Sequence, residues 1–242
     1  GVASAIACKI ALETYPNVML AFCDTGIEHP DTYRFMEDFE RVLGVKIHKF
    51  KSDKFSEPEE VWEKYRGMNF AHGAPCSSEL KAFVRVEKVQ DLETDYAQIF
   101  GFDYCKKEIR RADNMVSAHP ELNPKFPLIE NEITRERLFV EVSKLGIEPP
   151  EAYKYFLNNN CIGDPDSEKG GCVQGGIGYW KKIRKIFPKK YEYMGKMEHH
   201  ITEIQKQYQI DKRKYDPLTF NPVTVCRDQR IKTKGNRLFL VS

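Results

Sequence analysis

The run Val18-Met19-Leu20-Ala21-Phe22-Cys23, stopped by Asp24-Thr25-Gly26, constrains the fold more than any other stretch of this chain. Continuous apolar character covers both faces of a strand, which suits a strand buried on both sides in a parallel sheet. Both flanks read as helices. Ala5 to Leu12 is a small-and-aliphatic pattern ended by Pro16-Asn17. A second helix runs from about Pro30 to Leu43, with proline early and Gly44 past its end. Val45 to Phe50 alternates and reads as the next strand. Helix, strand, helix, strand is the grammar of an α/β domain.

The pattern continues with a helix near Glu59–Tyr65, one capped by Ser78 and running through Lys88, a strand at Ala97–Phe100, a helix at Lys106–Met115, and one from Thr134 to about Leu145. From Pro149 the texture changes to prolines, asparagines and a glycine-rich cysteine segment. The expected division is therefore an α/β core over 1–148 and a cysteine-bearing extension over 149–242, packed against the core. Gly1 opens inside a loop, so the first strand of the core is expected to be missing. The tail Phe239-Leu240-Val241-Ser242 has the character of that strand, although a missing N-terminal segment is the simpler expectation.

Composition narrows the class. A chain of 242 residues with a net charge of +2 has no general polyanion footprint, so any nucleic-acid contact must rest on a local patch. No run approaches the roughly 18 apolar residues of a membrane helix. Seven cysteines, an odd number, argue against a fully paired secreted scaffold and favour the reducing cytoplasm.

Two places invite a nucleotide. Gly1 and Ser4 open the first helix and supply backbone N–H groups and a hydroxyl suited to phosphate. Asp24, Thr25 and Gly26 lie where the strand ends, and open α/β sheets place ligands there. A plain Asp-Gly turn accounts for the same residues. Lys81, Arg85 and Arg111 are the cations to set against phosphate charge. Lys81 and Arg85 are four apart, hence on one helical face, which equally suits a solvated stripe. His29 follows the Asp24 loop and His72 precedes Cys76; both are candidates to meet a substrate phosphate.

The segment Phe22-Cys23-Asp24-Thr25-Gly26-Ile27-Glu28-His29-Pro30-Asp31-Thr32-Tyr33 resembles the Asp-Thr-Gly…Pro-Glu-Thr signature of the phosphoadenosine phosphosulfate reductase family. Gly1-Val2-Ala3-Ser4-Ala5 resembles the end of that family's pyrophosphate loop, with Ala3 where many members carry Asp. Cys76-Ser77-Ser78-Glu79-Leu80-Lys81 and Glu108-Ile109-Arg110-Arg111 resemble two later motifs. The resemblance covers residues 1 to about 150. It implies an adenine nucleotide alpha-hydrolase-like fold, a three-layer sandwich with a mostly parallel sheet. It further implies binding of ATP or a related adenine nucleotide, with magnesium on the phosphates.

Beyond the core, Asn159-Asn160-Cys161-Ile162-Gly163 and Gly171-Cys172-Val173-Gln174-Gly175-Gly176-Ile177-Gly178-Tyr179-Trp180 resemble bacterial and phage reductase-like proteins, including relatives of the sulfur-inserting component of DNA phosphorothioation systems. Residues 164–171 stand between the two cysteines as an insertion. By resemblance to reductase-like proteins with an iron–sulfur centre, Cys76 joins Cys161 and Cys172 as ligands of a [4Fe–4S] cluster, and Cys226, C-terminal and ahead of a charged stretch, is the best candidate for the fourth. A structural zinc and unligated thiols are the other readings. Cys8 and Cys23 fit buried core positions, and Cys105 is ambiguous. The enzyme so implied transfers or reduces sulfur with help from an iron–sulfur centre and a sulfur donor protein, and the basic run over 181–190 allows a DNA or tRNA substrate. Alternatives are an assimilatory-type sulfonucleotide reductase and a catalytically weakened nucleotide-binding accessory protein. The run Lys181 to Lys190 holds six basic residues and no acid, while Trp180, Ile183 and Phe187 at helical spacing fit a core stripe.

Overall fold

The computed structural model describes residues 1–71, 73–90, 96–157, 161–215 and 238–241, with side chains left aside at 90, 212–215 and 238–241. The strands β1 (Val18–Cys23), β2 (Ile47–Phe50), β3 (Tyr96–Ile99) and β4 (Leu238–Val241) form one sheet in the order β2-β1-β4-β3. Each described pairing is parallel. The α/β expectation holds, and the sheet described is small and open. The tail supplies β4, which registers Val241 against Leu20 of β1 and Ile99 of β3.

Helix α1 (Val2–Thr14) buries Val2, Ile6, Ala7 and Ala11. They meet Leu20 and Ile99 from the sheet and Leu138 and Val142 from α8 (Arg135–Lys144) in the main core. Small residues let α1 sit close to the strands, because an alanine face brings backbones together without leaving voids. Helix α2 (Pro30–Leu43) keeps the bounds the sequence suggested and buries Phe35, Met36 and Phe39. His29 caps it, Pro30 occupies its first turn, and Gly44 ends it in the left-handed region at φ 63°. The remaining helices of this half are α3 (Pro58–Tyr65), α4 (Pro75–Ser77), α5 (Phe83–Gln90), α6 (Lys106–Ala118) and α7 (Pro127–Glu130).

Where a single helix from Ser78 was expected, the chain makes α4, a π-helical turn over Ser78–Ala82, and then α5. The wider turn breaks the simple i,i+4 relation between Lys81 and Arg85, although the charge of each still reaches Cys23.

Two further helices follow the cysteine segment, α9 (Ile177–Ile186) and α10 (Pro188–Tyr215). Ile183 is the centre of a second small core with Ala152, Leu157 and Ile162, against which Trp180 and Phe187 pack. The aromatic stripe is core, as its spacing suggested. Met194 and Ile201 of α10 pack with Trp62 of α3, joining this half to the first. No described helix is long and apolar enough to cross a membrane.

Candidate functional site

The carboxyl end of β1 delivers Asp24, Thr25 and Glu28 in one loop, all buried. Asp24 is tied into that loop: its Oδ1 accepts from the Gly26 N–H at 2.9 Å and from the Tyr33 hydroxyl at 3.0 Å. Its Oδ2 lies 3.4 Å from the exposed Lys51 ammonium. Burial and the Asp24 charge hold the Tyr33 hydroxyl well above its usual range, so it stays a donor. Gly26 has φ 81°, and a Cβ there would lie 2.2 Å from the Ser56 carbonyl oxygen. The glycine therefore admits the protein's own 56–57 backbone.

Thr25 and Glu28 face inward. Thr25 Oγ1 donates to Glu28 Oε1 at 2.9 Å and lies 3.7 Å from Cys161 Sγ. Since the hydroxyl proton goes to Glu28, its lone pairs face the thiol as acceptors. A second bond fixes the same approach, from the Gly163 N–H to the Ile27 carbonyl at 2.9 Å. Lys81 Nζ stands 4.0 Å from Glu28 Oε1. Burial pulls the Lys81 ammonium down, but Cys161 and Glu28 together hold it above its ordinary value. Burial pushes the Cys161 thiol up to about 12 against the opposing pull of Lys81. Cys161 itself adopts φ 56°, a left-handed conformation that a cysteine holds only when its surroundings fix it.

Two buried polar atoms in this loop have no hydrogen-bond partner among the described residues, Glu28 Oε2 and His29 Nε2. His29 Nδ1 accepts the Asp31 N–H at 3.1 Å, so in the neutral ring the proton sits on Nε2 and gives an unmet donor. Unsatisfied buried groups of this kind mark sites that await a ligand or water.

The ten residues between Cys161 and Cys172 fold back so that the two thiols line one cavity. The Gly171 N–H donates to the Cys161 carbonyl at 2.6 Å. Gly170 and Gly171 have φ 119° and 135°; a Cβ on Gly170 would lie 2.2 Å from the Ile162 carbonyl, and one on Gly171 would lie 2.7 Å from the Trp180 ring. Cys172 is set by its own N–H, which donates to the Tyr179 hydroxyl at 3.0 Å. Cys76 comes to the same cavity from α4, beside Thr25, Trp62 and Lys81. At about 120 Å³ the cavity takes a group the size of sulfate and not a whole nucleotide.

The iron–sulfur expectation is corrected here. Cys76, Cys161 and Cys172 share a cavity, yet among the described residues no group of three or more His, Cys, Asp or Glu side chains could hold a metal ion. Each of the three is placed by a different protein neighbour: Cys161 by Thr25, Cys172 by the Tyr179 hydroxyl on its backbone, and Cys76 by packing with Trp62. Cys226 and His72 lie outside the described residues. The [4Fe–4S] cluster, the structural zinc and the metal-binding role of these cysteines are set aside.

The other site residues divide. Gly1 is exposed ahead of α1, and the first turn of α1 abuts the carboxyl end of β3, where a Cβ on Gly101 would lie 2.9 Å from Ser4 N. Arg85 lies beside Cys23 and Tyr96, with its charge disfavoured chiefly by burial. Arg111 is exposed on α6, paired with Glu108 at 3.2 Å and stacked over Phe102 at 4.2 Å. Glu28, Gly101 and Glu79, which accepts from the Tyr65 hydroxyl, were not singled out from the sequence. Glu28 sits four residues past Asp24 in the same loop, and that proximity was the one available signal.

A larger depression of about 410 Å³ is lined by Asp31, Arg34, Asp38 and Glu148. Its arginine is committed: Arg34 pairs with Asp31 at 2.8 Å and Asp38 at 3.0 Å and donates to the Glu148 and Pro149 carbonyls. It is a staple between α2 and the 148–149 segment.

The family described as "Phosphoadenosine phosphosulfate reductase domain" matches residues 1–121, half of the chain. A crystal structure of phosphoadenylyl-sulfate (PAPS) reductase from Candida auris, in a phosphate complex, covers 72% of this chain and 90% of its own. The two are 10% identical, with a TM-score of 0.45. No curated protein matches the chain.

Proposed function

The chain belongs to the phosphoadenosine phosphosulfate reductase domain family, and from that premise we propose an enzyme that binds a sulfonated adenine nucleotide and moves its sulfonate onto Cys161. The observation that carries this reading is the meeting of Thr25 Oγ1 and Cys161 Sγ at 3.7 Å beside Lys81. It joins the loop at the end of β1 to the cysteine segment across a cavity of sulfate size. The nucleotide lies along the carboxyl ends of the strands, near Gly1, Ser4 and the Asp24 loop, in a three-layer arrangement of the core. The His29 Nε2–H and the Lys81 ammonium supply donors to its anionic oxygens.

The chemistry follows from the atoms present. Cys161 passes its proton through the Thr25 hydroxyl toward Glu28, whose Oε1 already accepts the Thr25 hydrogen. The thiolate sulfur attacks the sulfonate sulfur; the bond to the bridging phosphate oxygen breaks, and the nucleotide leaves with that electron pair. Cys172, on the same cavity, then attacks Cys161 sulfur and releases sulfite, so two thiols are oxidised to a disulfide as the sulfonate is reduced. An external dithiol restores the pair. Lys81 lowers the cost of charge on Cys161 and on the sulfonate oxygens in turn.

Incubation with nucleotide carrying radioactive sulfur in its sulfonate tests this. Label should stay on the protein through denaturation when Cys172→Ser blocks the second step, and Cys161→Ser should abolish it. Thr25→Val should slow labelling by about 10²-fold, the usual scale of one proton-transfer group. Nucleotide binding without transfer would remove the sulfur chemistry and leave a nucleotide-binding protein; tighter binding of ATP would move the substrate to that class. A chain that binds neither nucleotide would sink the whole reading.

A further inference from the structure

Phe156 is 81% exposed and its backbone stands at φ 55°. A bulky side chain in the left-handed region is uncommon, and this one is held there with most of its surface in solvent. Lys182 is bound to it twice: its ammonium lies 5.4 Å over the Phe156 ring and donates to the Phe156 carbonyl at 3.2 Å. The neighbouring surface repeats the pairing of ring and cation. Arg184 lies 5.6 Å over the exposed Tyr191 ring, and exposed Tyr155 meets Phe187 edge-on at 5.8 Å. Ile177, 79% exposed, opens the helix that carries these cations. Of the six basic residues over 181–190, Lys190 is 1% exposed and turned inward. Lys181, Lys182, Arg184, Lys185 and Lys189 face solvent.

We propose that this face, centred on Phe156 and α9, binds single-stranded nucleic acid. The proposal stands on this surface alone and does not need the sulfur chemistry above. The charge is of one sign along α9 and answers a phosphate backbone. The rings answer bases: an exposed π-face stacks on any unpaired base, and cations already parked at ring faces add to that contact. A duplex hides its base faces, so single strands are the preferred form.

Anisotropy of a labelled 20-nucleotide oligo-dT, its oligo-U counterpart and a blunt duplex, at two salt concentrations, tests this. Single strands should bind more tightly than the duplex. Phe156→Ala should weaken binding about tenfold, within the range of one base–aromatic stack. Lys181→Ala with Lys185→Ala should flatten the dependence of log K on log salt by about 1.4, at 0.7 per phosphate contact. Phe156→Gly separates this from a folding effect: it should melt at or above wild type, since glycine relaxes the left-handed backbone, while losing the same affinity. Equal binding by wild type and Phe156→Ala would overturn the proposal, as would equal binding of duplex and single strands. Phe156-dependent binding to vesicles rich in phosphatidylserine, with no oligonucleotide binding, would reassign the face to a membrane surface. Loss of a dimer on Phe156→Ala, seen by sedimentation, would reassign it to a second copy of the chain.

Discussion

At the scale of single residues the proposed chemistry turns on Cys161. Burial pushes its thiol up to about 12, so at neutral pH it is protonated and slow to react. Iodoacetamide should therefore modify the exposed Cys105 quickly and Cys161 slowly, with the Cys161 rate rising about tenfold per pH unit through pH 10. Lys81 is the cation that opposes the burial, so Lys81→Met should slow the modification of Cys161 further at any fixed pH. An unchanged rate, read by peptide mass spectrometry, would detach Lys81 from the thiol. The same shift has a consequence for stability. The folded thiol ionises later than the unfolded one, so its contribution is intact below about pH 9 and is lost as pH rises toward about 12. Denaturant melts across that window should fall less steeply in Cys161→Ser than in wild type.

One element makes the site possible, the loop over 164–169. In the sequence it reads as an insertion that separates two cysteines by too much for a compact motif; in the fold it is looped out and held by one side chain. Lys190 Nζ donates to the carbonyls of Asp164 at 2.6 Å, Ser167 at 2.7 Å and Lys169 at 2.5 Å. A buried ammonium with three carbonyls does for this loop what a bound cation does elsewhere, satisfying backbone acceptors that would otherwise be orphaned. Lys169 closes the other side through Glu57 at 2.7 Å and Glu59 at 2.9 Å. Lys190→Met keeps the volume and removes the donors. It should cost about 3 kcal/mol in urea unfolding, the scale of a buried charged hydrogen-bonding group, and slow closure of the Cys161–Cys172 disulfide by oxidised dithiothreitol. Normal closure in a destabilised protein would mean that the glycines at 170 and 171 set the thiol pair without the loop. None of this was legible in a run of six basic residues, since a buried lysine and a solvated one look alike until a helix face is known. The aromatic stripe was legible, because Trp180, Ile183 and Phe187 repeat at the helical period and Ile183 lands fully buried.

At the scale of the whole molecule, local patterning fixed the α/β class, because apolar runs and helix stops are written in neighbouring residues. The convergence of Cys161 on Thr25 and Lys81 was not, because it depends on φ values at 161, 170 and 171 and on a loop held by a distant lysine. The position of the tail strand follows from register: β4 pairs with β1 and β3, bringing four carboxyl ends to one edge. That edge carries the Asp24 loop after β1, Gly101 after β3 and the first turn of α1 against it. Ligand binding there makes a prediction the topology alone can fail. With 3′-phosphoadenosine 5′-phosphate, the nucleotide that the proposed transfer of sulfonate to Cys161 would release, at 100 times its Kd, the protein should gain about 2.7 kcal/mol and melt roughly 5–11 °C higher. Hydrogen exchange should slow over residues 1–5, 24–29 and 100–104, and stay unchanged over α6 and α8, which bring none of the proposed ligand contacts to that edge. Protection centred on the Arg34 depression instead would place the nucleotide away from the strand ends. The sheet order would then be a scaffold with no part in binding, and the buried His29 and Glu28 atoms that lack a partner among the described residues would need another explanation.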